Sequence, residues 1–271
     1  LLAEAQFAMY ENSIARQIVT PFNFPSNAGK SLQIPVYSGV TATALTEGSA
    51  PSAADTNTTS VALALAEVGT YFQVTDMLRD SAQRDVIADL GSQAGRAIAE
   101  KMDADAFALF ASFTNSVGTE DGIITVDHIL DAVATLRGNK VIGPLSCVLG
   151  PRQALQLKKE LAGTGGTTAL TANAVGNEAL RGYYIGTLAG CTVYESSLVK
   201  SDLDTDADSE LNMVGAVFAP SAIGHAIRGG VTMEEQRQAA ARATDIMISV
   251  VKGEAILQNT HGVKIVGSAT D

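Results

Sequence analysis

Apolar residues recur at three- and four-residue steps from Thr75 to Phe113, at Leu78, Ala82, Val86, Leu90, Ala94, Ile98, Met102, Ala106 and Leu109. That spacing draws an apolar stripe along one side of a helix. Thr75 or Asp76 can cap its start, because a short side-chain oxygen accepts from the free N–H groups of the first turn. Asp80–Arg84, Arg96–Glu100 and Lys101–Asp105 are opposite charges four residues apart, which adds modest support. Unbroken, the stretch predicts a rod about 55 Å long, longer than a compact domain needs. Gly91 and Gly95 interrupt it on a shared face, each less favourable than alanine by about 1 kcal/mol. Two readings stand side by side: another backbone approaches closely across that face, or the helix bends there.

The remaining pattern changes period several times. Leu2, Phe7, Ile14 and Ile18 give a short helical pattern over residues 1–20, which ends before Pro21. The stretch PFNFPSNAG (21–29) reads as an extended arm, as free to lie on a neighbour as on its own chain. Ser31–Tyr37 and Ser60–Thr75 alternate as strands do. Between them lies a polar, low-complexity tip of a length that is uncommon inside a compact domain. The alanines, threonines and leucine of that tip could themselves make a two-stranded ribbon, which is barely stable alone and so needs a surface; the natural candidate is another copy of the chain.

Beyond a turn at Gly118–Gly122, a second amphipathic helix is predicted over Val126–Leu136, a buried strand over Ser146–Leu149 and a helix over Pro151–Leu161. Residues 162–177 have loop composition. Ile185–Leu188, Thr192–Glu195 and Met213–Phe218 read as short strands. Residues 230–267 alternate strongly and read as an antiparallel sheet of three or four strands. A long helix, a long sheet and a separate α/β insert make the fold class α+β.

Composition narrows the function. The 271 residues are 46% hydrophobic and 17% charged, a globular balance. A net charge of −11 speaks against a nucleic-acid-binding surface, which needs clustered lysine and arginine. No run of eighteen apolar residues suggests a membrane helix. The opening LLAEAQFAMYEN lacks the basic start and cleavage site of a signal peptide, and its lack of methionine leads us to expect a segment upstream. Cys147 and Cys191, the only cysteines, read as buried small hydrophobes in a reducing compartment.

Patterns that could carry chemistry fail one by one. Gly29-Lys30-Ser31 resembles the end of a phosphate-binding loop, but position 24 is Phe where glycine is required, and a strand follows instead of a helix. The alternating acids of SDLDTDADSE (201–210) do not fit a calcium loop: a register from Asp202 puts Ala207 at the glycine position and Met213 at the bidentate glutamate. They read as a solvated acidic turn. His128, His225 and His261 stand in no metal-ligand spacing. Glu234 and Glu235 are strand neighbours that point to opposite faces. No catalytic, cofactor or metal residues are predicted.

The order of elements resembles the major capsid protein of tailed double-stranded-DNA bacteriophages, the Hong Kong 97-like fold. The likeness rests on motifs in sequence: a loop tip with Thr46-Glu47-Gly48-Ser49-Ala50-Pro51, VGTYFQVTDMLRDS (68–81) leading into the helix, and EKMDADAFALF (100–110) closing it. VIGPLSCVLGPRQALQLKKEL, IGTLAGCTVYESSLV (185–199) and a β-rich tail with GHAIRGGVTMEE follow. The resemblance implies an N-terminal arm (1–29), an extended loop (30–74), a peripheral domain with the spine helix (75–122 and 226–271) and an axial domain (123–225). It implies a non-enzymatic protein without cofactors, whose identical subunits form hexamers and pentamers tiling an icosahedral shell around phage DNA. Such a protein would be assembled in the host cytoplasm, end in the virion and meet portal, scaffolding and decoration proteins. Glu47, Pro51, Phe22 and Phe24 are then candidates for contact between subunits, and Gly91 and Gly95 for flexing of the helix as an immature shell expands. Some members crosslink lysine to asparagine; here the loop tip has no lysine, and Lys30 sits at its base. An encapsulin-like compartment shares the fold and is the alternative. A soluble enzyme carrying a long hairpin is the reading from another class.

Overall fold

The computed structural model describes residues 2–24, 29–37, 42, 44, 47–48, 58–81, 86–163, 186–199 and 212–268. The N-terminal third comprises α1 (Leu2–Asn12), α2 (Ala15–Ile18), β1 (Thr20–Phe24), β2 (Ser31–Tyr37), β3 (Thr58–Ala64), β4 (Ala66–Thr75), α3 (Asp76–Ser81) and α4 (Val86–Ala108). A turn of 3-10 helix, Leu109–Ser112, ends α4. Then come β5 (Asn115–Val117), α5 (Val126–Gly138), β6 (Leu145–Leu149), α6 (Pro151–Gly163), β7 (Gly186–Leu188), β8 (Cys191–Glu195), β9 (Asn212–Phe218), β10 (Ile223–Gln238), β11 (Ala243–Ile256) and β12 (Gly262–Ser268).

The strands form a four-stranded sheet β1-β10-β11-β4, a six-stranded sheet β5-β12-β9-β6-β8-β7, and a separate ribbon of β2 and β3. Helix α4 lies between α1 and the four-stranded sheet. Its stripe of Ala94, Ile98, Ala99 and Met102 is buried with Ala5 and Met9 on one side. On the other lie Val74, Val231, Ile246, Ile248 and Val250. Burying each of the larger side chains contributes roughly 1.5–3 kcal/mol, so this double-sided burial fixes the helix against the sheet. Where α4 ends, Phe107, Phe110, Phe113 and Phe218 stack with centroids 5.3 to 6.3 Å apart and join it to the six-stranded sheet.

Of the predicted rod, the described residues hold α3 and α4, and residues 82–85 between them lie outside the described set; α4 alone spans about 34 Å at ~1.5 Å per residue. Three expectations need correction. The predicted strand Ser60–Thr75 divides at Leu65, because β3 pairs with β2 whereas β4 pairs with β11. Residues 230–267 hold three strands, but the first begins upstream: β10 starts at Ile223 and continues past Gly229 and Gly230, whose positive φ values of +73° and +81° mark a bulge between Arg228 and Val231. Alternation resumes after the bulge, and one long hairpin results. Finally, β12, expected with the long C-terminal sheet, pairs with β9 and β5 and so belongs to the six-stranded sheet. Its buried Val263 and Ile265 pack with Ile129, Leu136 and Val217, which explains the choice.

The N-terminal segment lies on its own chain. Helix α1 rests on α4, and β1 pairs in parallel with β10 from Thr20–Gly224 to Phe24–Arg228.

The insert is tied together by buried side-chain amides. Gln153, fully buried at the start of α6, accepts from Gly150 N and donates to Met213 O at 2.8 Å and Ile265 O at 3.3 Å. Gln156 accepts from Ile124 N, and Glu160 from Val126 N at 2.7 Å, which satisfies the free N–H groups where α5 begins. Thr125 and His128 complete that cap reciprocally. The histidine is thereby a helix cap.

Candidate assembly surfaces

Strands β2 and β3 pair without a shift in register from Ser31–Ala64 to Tyr37–Thr58. Period-2 alternation places Leu32, Ile34 and Val36 on one face with their partners Leu63 and Val61. Leu63 is buried, but Leu32, Ile34, Val36 and Val61 are only half-buried, and Tyr37 at the far end is 68% exposed. The ribbon therefore buries Leu63 against its own chain and leaves the rest of its apolar face half-buried.

Its base is fixed by backbone contacts. Leu65 N donates to Lys30 O at 2.9 Å, and Arg228 Nη1 donates to Gly29 O at 3.2 Å. Opposite Ala64, Gly253 has no room for a side chain: a Cβ there would meet Ala64 O at 2.4 Å. The ribbon therefore leaves the sheet at a fixed point, where β3 gives way to β4.

The predicted contact residues fall in different settings. Glu47 sits in an exposed turn with Gly48, whose φ is +80°. Pro51 lies outside the described residues. Phe22 is half-buried and close to Gly224, while Phe24 is 2% exposed, buried within its own chain. Phe24 thus has no surface left to offer a neighbour in this conformation. Gly91 and Gly95 are both buried in α4. At Gly95 the backbone of α1 comes so close that a Cβ would lie 2.3 Å from Ala5 O, the close-approach geometry expected of that face.

Sequence reasoning missed a polar network beneath the spine helix. Lys252, 2% exposed, donates to Glu254 Oε1 and Oε2 at 2.9 and 3.1 Å and lies 2.8 Å from Asp105 Oδ2 on α4. Glu254 also pairs with His225 Nδ1 at 3.1 Å. Burial would raise the Asp105 carboxyl, but Lys101, 2.6 Å away, and Lys252 outweigh it and hold the group below its ordinary range. Two residues earlier on α4, Asp103 accepts from Ser13 Oγ at 2.7 Å, Ile14 N at 2.9 Å and Ala15 N at 3.1 Å. Burial pushes the Asp103 carboxyl up despite these donors and the nearby His225. A signal did exist in VVKGE (250–254): alternation puts Lys252 on the same inward face as Ile248 and Val250.

The thiols fit an inert role. Cys147 and Cys191 are free and buried on adjacent strands β6 and β8. Burial raises Cys147 well above its ordinary value and Cys191 to about 11. The acidic turn 201–210 lies outside the described residues.

The model of the family described as phage capsid protein matches residues 58–249, which include the second ribbon strand, the spine helix, the insert and the β10–β11 hairpin. The chain belongs to the phage capsid protein family. No curated protein sequence matches this capsid protein. Solved structures share its α+β, Hong Kong 97-like fold across nearly the whole chain. A Mycobacterium phage Che8 structure superposes with a TM-score of 0.67 at 20% identity, over 88% of this chain and 84% of that one. The acid-stable capsid of Helicobacter pylori bacteriophage KHP30 gives 0.73 at 13% identity, over 94% and 91%. A virus-like particle from Pyrococcus furiosus gives 0.62 at 12% identity, over 97% and 96%. The capsid protein is a structural component of the virion, and its subunits build a shell.

Proposed function

We propose that copies of this capsid protein form hexamers and pentamers that close into an icosahedral shell around double-stranded phage DNA. The observation that carries the reading is the β2–β3 ribbon, whose Leu32, Ile34, Val36 and Val61 face remains half exposed on the single chain. Covering that face on a neighbouring subunit supplies burial that one copy lacks, at about 25 cal/mol per Å² of apolar surface. Glu47 and Pro51 at the loop tip would then touch the neighbour, and Phe22 on the arm would make a separate contact. Arm (1–29), extended loop (30–74), peripheral domain (75–122 and 226–271) and axial domain (123–225) are the working divisions, with β12 shared structurally with the axial sheet. Assembly takes place in the host cytoplasm, with portal, scaffolding and decoration proteins as further partners. The net charge of −11 suits a container that holds DNA without adhering to it.

Electron microscopy of the purified chain tests the proposal. Wild-type protein is expected to form closed particles, whereas Ile34→Asp with Val61→Asp is expected to leave folded, dispersed subunits. Particles of normal size from the double variant would remove the ribbon from assembly.

A second reading, an encapsulin-like compartment, is favoured by one observation: the Pyrococcus furiosus particle protein matches this chain over almost the full length of both. The contents decide. Packaged DNA supports the phage shell, and a packaged enzyme supports the compartment.

A further inference from the structure

The joint between α1 and α2 is held in an unusual way. Three donors from consecutive residues, Ser13 Oγ, Ile14 N and Ala15 N, converge on the carboxylate of Asp103. Both ends of the contact are buried, with Ser13 at 1% and Asp103 at 2% exposure. Apolar packing accompanies it: Ala5 and Met9 meet Ala94, Ile98, Ala99 and Met102 close around Gly95, and Ala15, Ile18 and Val19 pack with Phe107 and Phe110. An eleven-residue helix such as α1 is also too short to persist undocked in water. Beyond the joint, β1 is anchored separately by its pairing with β10 and by buried Phe24.

We propose that Asp103 is the catch of a movable strap: residues 2–19 dock on the spine helix as one unit through this carboxylate, and undock as one unit when it is lost. The inference does not depend on the shell and can be tested on dispersed or assembled protein. Loss of the carboxylate leaves two buried N–H groups and a hydroxyl without their acceptor, while the sheet side of α4 keeps all its contacts.

Amide hydrogen exchange on the full chain tests this. In Asp103→Ala, exchange over residues 2–19 is expected to accelerate by about tenfold or more while β10 and β11 keep their protection. Ser13→Ala, which removes a single donor, is the milder variant should Asp103→Ala fail to fold. It is expected to accelerate the same residues by roughly threefold. Unchanged exchange over residues 2–19 in the folded variants, or acceleration spread evenly over residues 86–268, would overturn the proposal.

Discussion

Removing the buried ammonium of Lys252 is expected to destabilise the subunit more than any surface substitution. The side chain is 2% exposed, and its nitrogen serves both oxygens of Glu254, at 2.9 and 3.1 Å, and Asp105 at 2.8 Å. Asp105 is partly exposed and keeps Lys101 at 2.6 Å, so it survives the loss. Glu254 does not: its side chain is 8% exposed, and only the His225 contact remains. Breaking a buried pair from one side costs about 3–5 kcal/mol, chiefly for the stranded charge. Against a total stability of about 5–15 kcal/mol, that is a third or more of the whole. Lys252→Met retains the apolar stem and removes only the charge, so about 2–3 kcal/mol is expected. Lys252→Met with Glu254→Gln removes both charges and should recover to within about 1 kcal/mol of wild type. Urea denaturation of dispersed subunits, followed by circular dichroism, measures all three variants. A loss under about 1 kcal/mol for Lys252→Ala would refute this reasoning. So would a double variant no more stable than Lys252→Met.

Other perturbations separate the remaining contacts. Gly253→Ala places a methyl against Ala64 O and is expected to displace the ribbon base, lowering particle yield more than subunit stability; yields are counted by microscopy and stability by thermal melting. Gly91→Ala with Gly95→Ala is expected to slow shell expansion if the helix flexes there, and unchanged assembly and expansion rates would dismiss the flexing role. Both thiols are expected to resist alkylation in the folded protein at about pH 8 and to react fully in denaturant, because burial holds them protonated. Asp76 is held below its ordinary value by Arg237, 2.6 Å away. Its contribution is present at neutral pH and is lost as pH falls through the carboxylate range, and Arg237→Ala should flatten that part of the stability–pH curve.

Periodicity made much of this architecture legible. The stripe from Leu90 to Met102 identifies the buried side of α4, and the alternation of residues 31–37 identifies the ribbon face. Strand partnership was not legible, because alternation reports which face is apolar and says nothing about what lies beside it. That is why the Leu65 division between β3 and β4 and the transfer of β12 to the other sheet went unseen. The start of β10 at Ile223 also went unseen, because Gly229 and Gly230 break the alternation where the bulge falls. Of the assembly surfaces, the ribbon could be read from its polar tip and apolar flanks. The arm could not: the aromatic positions of PFNF suggested contact with a neighbour, and only the parallel pairing with β10 shows Phe24 turned inward.

Strand β12 also has a consequence for how the protein is made. Residues 262–268 lie between β5 and β9, so the six-stranded sheet stays split until that segment has emerged from the ribosome. A subunit whose translation has not yet reached these residues would therefore carry a divided insert, with β5 cut off from β9.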